Sequence, residues 1–163
     1  MQASPPSTQA YRQIGVISDT HGLLRPEALQ ALKGCDLILH AGDIGRPDIL
    51  EDLMAIAPIL AVRGNNDHGT WAEKLPITRR LEVHSQSILL THELSRITSL
   101  DHDPPVHMII SGHSHKPTIT EQNGIIFLNP GSAGPRRFSL PIALARIICT
   151  GPTLRPELIH LLS

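Results

Sequence analysis

The sequence predicts an α/β fold: one domain in which two stacked sheets carry helices on their outer faces. Over the first third of the chain, short apolar strands alternate with helical stretches, which is the order of a parallel βαβαβ half-sheet. The remainder is richer in strands and contains hairpin signals. At 163 residues, 40% hydrophobic and 18% charged, the chain suits one globular domain with a substantial core.

The elements follow in order. Residues 1–12 begin MQASPPSTQA, with neither a basic nor an apolar stretch, and read as a flexible tail without a secretory signal; residues 13–163 form the domain. Gln13 to Ser18 is short, apolar and β-branched, hence a buried strand. Pro26 suits the first turn of a helix that runs to about Lys33. Asp36 to His40 is the second strand. Pro47 opens a helix to about Ala57, with Ile49, Leu50, Leu53, Met54 and Ala57 at helical spacing. Ile59 to Arg63 is the third strand. Arg79 to His84 and Ser87 to Thr91 pair as a hairpin around Ser85-Gln86. A connection from Ser95 to His102 ends at Asp103-Pro104-Pro105. Val106 to Ser111 is a buried strand, and Asn123-Gly124 joins Thr118–Gln122 to Ile125–Leu128 as a type I′ hairpin. Ile142 to Cys149 and Thr153 to Leu162 are the last strands, with Pro156 confining the final one to a sheet edge.

Composition excludes several functions. A net charge of −1 argues against a nucleic-acid scaffold and a polybasic membrane binder. No apolar run approaches the ~20 residues that span a bilayer. Aromatic residues make up only 2%, so single-strand stacking platforms are missing. Cys35 and Cys149 each sit beside an apolar run and read as buried thiols in a reducing cytoplasm.

Ten histidines are the outlying number, and their positions give it meaning. The strands stop at polar clusters: Ser18-Asp19-Thr20-His21-Gly22, His40-Ala41-Gly42-Asp43, Gly64-Asn65-Asn66-Asp67, Thr91-His92 and Gly112-His113-Ser114-His115. Ligands of α/β sheets bind beyond the carboxyl ends of strands. Imidazole and oxygen donors without thiolate suit Mn²⁺, Fe²⁺, Ni²⁺, Co²⁺ or Zn²⁺. So many donors exceed the needs of one tetrahedral ion and suit two ions sharing a carboxylate. Each block alone is unremarkable as a turn or a loop; the ordered set of five is what carries the reading. His40 is positioned to orient Asp43.

These blocks, D-x-H, G-D, G-N-x-D, a lone His and G-H-x-H, with Asn129-Pro130-Gly131-Ser132 after them, resemble the calcineurin-like metallophosphoesterases, specifically the small YfcE-type branch. The resemblance covers roughly residues 13–150. It implies a four-layer α/β/β/α sandwich with two mixed sheets. It implies that Asp19, His21 and His115 bind one divalent ion, Mn²⁺ first among the choices, that Asn65, His92 and His113 bind a second, and that Asp43 bridges them. The implied nucleophile is a metal-bridging hydroxide that attacks small phosphodiesters. Phosphomonoesters, nucleotide pyrophosphates and a non-catalytic scaffold like the eukaryotic retromer subunit of this fold are the alternatives. Homodimers or homotetramers are the implied assemblies.

Two departures stand out. Where larger relatives carry a histidine that assists the leaving group, this chain has Asn66, which can bind a phosphoryl oxygen but cannot titrate. His68 is the candidate replacement acid; a plain loop histidine is the simpler reading. Where relatives follow the lone metal histidine with Gly-His, this chain has Glu93-Leu94. Arg136, after the Asn129–Ser132 loop, reads either as a phosphate-binding guanidinium or as a solvated charge.

Overall fold

A computed structural model describes residues 10–98 and 105–162. It contains two mixed five-stranded sheets and few helices. Strand β1 (Gln13–Ile17) leads to helix α1 (Pro26–Leu32), β2 (Leu37–His40), α2 (Pro47–Met54) and β3 (Ile59–Ala61). Strands β1, β2 and β3 lie parallel in that order. Strand β9 (Ile142–Thr150) runs antiparallel beside β1, and β10 (Thr153–Leu162) completes the sheet as its edge. Pro156 therefore sits where a missing N–H costs no second ladder, as the sequence predicts.

The second sheet has the order β4 (Thr78–Val83), β5 (Gln86–Thr91), β6 (Met108–Ile110), β8 (Ile125–Asn129), β7 (Thr118–Gln122). Strands β5, β6 and β8 are parallel, and the hairpin strands β4 and β7 are its antiparallel edges. Asn123 (φ 52°) and Gly124 (φ 79°) make the expected turn. The β4–β5 turn falls on His84 and Ser85, both at positive φ, one residue earlier than the sequence suggests.

Three apolar layers hold the sheets. Val16, Leu39 and Leu60 of the first sheet meet Leu90, Met108 and Ile110 of the second. On the other face of the first sheet, Ile17, Ile38 and Ile59 pack against Leu32 of α1 and Leu50 and Leu53 of α2. The strand β2 thus buries both faces, which is why it reads as an unbroken apolar run. Each such side chain contributes roughly 1.5–3 kcal/mol on leaving water. On the outer face of the second sheet, Leu89, Val106 and Ile109 pack with their sheet neighbour Phe127 and with Ile97, which follows the short 3₁₀ turn Leu94–Arg96, so this outer layer is thin among the described residues.

Three expectations shift. Helix α2 ends at Met54, although Ala57 beyond it is still buried. A four-residue helix α3 (Thr70–Glu73) was not expected; it is too short to show periodicity. The tail reading extends too far, because Tyr11 is buried and Arg12 donates its N–H to Asp36 Oδ2 at 2.7 Å. The predicted connection Ser95–His102 lies partly outside the described residues. None of the helices described is long and apolar enough to cross a membrane.

Candidate metal centre

Parallel strands β1, β2, β3 and parallel strands β5, β6 present their carboxyl ends to a common rim, so the five polar clusters meet there. The loops are laced together by their backbones: Asp19 N–H donates to Gly42 O (3.0 Å), His21 N–H to Asp43 O (2.9 Å), and Gly112 N–H to His92 O (3.1 Å). Five of the side chains involved hang from left-handed backbone: Asp19 (φ 55°), His21 (45°), Asp43 (57°), His113 (75°) and His115 (63°). Non-glycine residues pay about 1–3 kcal/mol each for such conformations, which concentrate where function needs them.

The side chains converge. His115 Nε2 lies 3.3 Å from Asp19 Oδ1, and His21 Nε2 lies 3.7 Å from it. The two imidazole Nε2 atoms are 3.3 Å apart. His92 Nε2 lies 3.4 Å from Asp43 Oδ2 and 2.9 Å from Asn65 Oδ1, while His113 approaches Asn65 Oδ1 through Nδ1 at 3.2 Å. The seven residues singled out by the sequence thus meet at one place, with buried Asp19, Asp43, His92 and His115 beneath more open His21, Asn65 and His113. Asp19 Oδ1 lies within 4.0 Å of His92 Nε2 as well as near His21 and His115, so it reaches both groups of donors as Asp43 does.

The donor chemistry fits a cation. His92 Nδ1 must donate to Ala41 O at 2.7 Å, because a carbonyl only accepts; the Nε2 lone pair then faces the carbonyl of Asn65 and the carboxylate of Asp43. Asp19 Oδ2 accepts from Ser18 Oγ and His113 N–H, but buried Oδ1 has no hydrogen-bond partner. Converging lone pairs around an orphaned carboxylate oxygen need a positive charge between them. Without metal, protons serve: burial disfavours charged His92, but the hydrogen bond to Asp43 and the nearby Asp19 charge outweigh it and raise its pKa. Asp43 is likewise held below the usual carboxylate range; burial opposes this, and hydrogen bonds from His92 and Asn66 overcome it.

The supports beneath these residues are equally specific. Buried Asp67 accepts three backbone N–H bonds, from Asp43 (3.0 Å), Gly45 (3.0 Å) and Gly64 (2.8 Å). It fixes the loop that aims Asp43, a role the sequence reading left unassigned although the acid closes its own G-N-x-D turn. Gly64 packs its α-carbon onto Asp43, and a Cβ there would fall on the Asp43 carboxylate and backbone. Gly42 (φ 99°) leaves so little room that a Cβ would lie 2.8 Å from His92 Nδ1. Replacing Asp67 by alanine would orphan three donors at about 1–3 kcal/mol each. We expect Asp67→Ala to lose several kcal/mol in denaturant unfolding; a loss under about 1 kcal/mol would refute the bracing role.

His40 does not orient the Asp43 carboxylate as expected. Its Nδ1 accepts from Gly42 N–H (3.1 Å), so Nε2 carries the hydrogen and donates to Thr20 Oγ1 (3.0 Å), which in turn donates to Ile44 O. It ties two loops together in the neutral form, and burial pushes its pKa down to about 3. The unfolded chain takes up this proton near pH 6.5 and the folded chain does not. Folding stability is therefore undiminished above pH 6.5 and falls by up to about 1.4 kcal/mol per pH unit toward pH 3 from this group alone. Unfolding titrations of chelated protein should show a shallower acid slope in His40→Asn; equal slopes would exclude the effect.

Other singled-out residues scatter around the rim. Asn66 donates both its backbone N–H and Nδ2 to Asp43, each at 2.8 Å, so its amide braces that carboxylate. His68 is exposed and lines a cleft of about 310 Å³ with Asn65 and His92. A second cleft of about 490 Å³ opens on the other side, along His113, Phe127 and Leu128. Glu93 lines both. Arg136 Nη1 donates to Leu140 O in its own loop, at 3.1 Å, and lines neither cleft. Cys35 and Cys149 are free thiols, and burial pushes Cys149 up to about 11.

A two-sheet α/β body with an aspartate, asparagine and histidine cluster at its strand ends is the architecture of a metal-dependent phosphoesterase. The family model of the calcineurin-like phosphoesterase superfamily domain matches residues 13–150, and the chain belongs to that superfamily. A probable metallophosphoesterase of Methanothermobacter thermautotrophicus is 37% identical over 159 residues, 90% of this chain and 91% of its own. Among solved structures, an archaeal phosphodiesterase matches with a TM-score of 0.74 at 20% identity, over 90% of this chain and 99% of that one. Zinc-bound Vps29 of Entamoeba histolytica matches with a TM-score of 0.72 at 19% identity, over 91% and 99%. These two structures are alike in fold.

Proposed function

We propose that the chain is a phosphodiesterase for small diesters, with one divalent cation held by Asp19, His21 and His115, a second by Asn65, His92 and His113, and Asp43 shared between them. The observation that supports a diester is the pair of clefts flanking the donor cluster. A diester has two ester arms to accommodate and a monoester only one. When bound, such cations supply Lewis acidity at the phosphoryl oxygens and a water ionised near neutral pH. The residues have separate duties. Asp43 stays ionised, held by the backbone N–H and the side-chain Nδ2 of Asn66. The Ala41 carbonyl keeps the His92 Nε2 lone pair aimed inward. Asn66 has a second Nδ2 hydrogen left for a phosphoryl oxygen, and exposed His68 lines the smaller cleft, where a flat dependence of rate on leaving-group pKa would assign it the leaving-group proton. Arg136 would serve only if substrate drew its guanidinium from Leu140.

Mn²⁺ is the first metal of this reading, and the imidazole and oxygen donors accept Fe²⁺, Ni²⁺, Co²⁺ and Zn²⁺ as well. Two free thiols, Cys35 buried and Cys149 half-buried, accord with a reducing cytoplasm, and assembly as a homodimer or homotetramer belongs to the same reading. A panel of aryl diester, aryl monoester, cyclic nucleotide and dinucleotide, run with Mn²⁺, Fe²⁺, Ni²⁺, Co²⁺ and Zn²⁺, tests it. Diesters should exceed monoesters by at least about tenfold in kcat/KM, a difference of 1.4 kcal/mol. Faster monoesters would overturn it. Metal uptake without turnover of any ester would favour an interaction module instead.

A further inference from the structure

The smaller cleft is chemically unlike the larger one. It is lined by Arg63, two residues beyond β3 of the first sheet, and Arg96, which closes the 3₁₀ turn after β5 of the second. Arg63 lies two residues before Asn65, and Arg96 four after His92, so both guanidiniums belong to the side of the rim where Asn65 Oδ1 and His92 Nε2 stand 2.9 Å apart. Neither takes part in an ion pair among the described residues. Two acids share the lining. Asp67 is committed inward, its oxygens taken by three backbone N–H groups. Glu93 stands where the two clefts meet. The larger cleft has no Arg or Lys in its lining and offers Leu94, Phe127 and Leu128 with a fringe of hydroxyls.

We propose that the smaller cleft binds a second, non-scissile phosphate of the substrate through Arg63 and Arg96, so that the preferred substrate is a phosphodiester bearing a terminal phosphate on one arm. Two guanidiniums from separate loops can each donate a forked pair of hydrogen bonds to a phosphate, which a point charge cannot do. A volume of about 310 Å³ is ample for a phosphate with the sugar that carries it. Glu93 at the junction repels a phosphate placed too near the larger cleft and so sets the orientation of an unsymmetrical diester. The inference rests on the phosphodiesterase reading for its substrate but not for its binding site.

The test compares the p-nitrophenyl ester of thymidine 5′-phosphate with the same ester carrying a 3′-phosphate. The added phosphate should raise kcat/KM about 10- to 100-fold, mainly through KM, the range expected for hydrogen bonds to charged groups. Arg63→Gln and Arg96→Gln should each collapse this ratio toward one, while Arg155→Gln on the distant edge strand leaves it intact. A ratio near one in the unaltered protein, with the unphosphorylated diester still turned over, would overturn the inference and spare the diesterase reading. A second arm needs no catalysis. Chelated, metal-free protein is titrated calorimetrically with thymidine 3′,5′-bisphosphate; binding that disappears in the Arg63→Gln/Arg96→Gln double variant upholds the site even if neither ester is hydrolysed. Binding unchanged in the double variant would refute it.

Discussion

Asp43→Asn is expected to lower kcat by about 10³-fold or more, the several kcal/mol that paired cations bring to a transition state. The substitution preserves shape and removes charge. Asp43 is buried, and its Oδ2 lies 3.6 Å from His21 Nε2 and 3.4 Å from His92 Nε2, so the same oxygen faces both groups of imidazoles. An amide there would turn one neutral oxygen or two N–H donors toward lone pairs that require a cation. Asp19 also reaches both groups through Oδ1, so one ion should survive in the variant. Elemental analysis should therefore show loss of about one metal equivalent while the fold persists. His84 bonds Tyr11 O at 2.8 Å, remote from the rim, and His160 lies on edge strand β10. His84→Ala and His160→Ala should leave kcat almost unchanged. Equal loss in all three variants would show that strand-end position does not mark the working residues.

The sequence made the strand ends legible because each donor cluster follows an apolar β-branched run, and the chain order dictates that parallel strands end on one side. It did not reveal which loops hold one another. Asp67 was visible only as the last letter of a turn, yet its carboxylate braces three N–H groups from two loops. His40 was visible as a polar residue at a strand end, but its partners proved to be Thr20 and the Gly42 N–H, which occupy both ring nitrogens and leave none for the Asp43 carboxylate. Several of these contacts join residues twenty or more positions apart and leave no periodic trace. The smaller cleft was illegible for the same reason: its wall combines Arg63, Glu93 and Arg96 from loops of two sheets. Element ends moved where a turn competed with the apolar pattern, as at His84-Ser85, where both residues take the positive φ of a tight hairpin turn.

Rates should depend steeply on leaving-group pKa, with activated aryl diesters handled well and alkyl-like leaving groups poorly. A positioned general acid contributes roughly 10²–10⁴-fold, most for poor leaving groups. Asn66 cannot be that acid, and its Nδ2 is already engaged by Asp43 Oδ2 at 2.8 Å. Asn66→His installs a titratable ring but also withdraws a hydrogen bond from Asp43. The absolute rate should then fall for good leaving groups, so the slope of log kcat/KM against leaving-group pKa is the quantity to read. That slope should flatten in Asn66→His if its ring reaches the leaving oxygen. A flat line in the unaltered protein would contradict the prediction and would point to exposed His68, which lines the smaller cleft beside Asn65 and His92. His68→Ala decides that case: a line that turns steep in the variant identifies His68 as the proton donor, because removing the acid penalises each leaving group in proportion to its need for a proton.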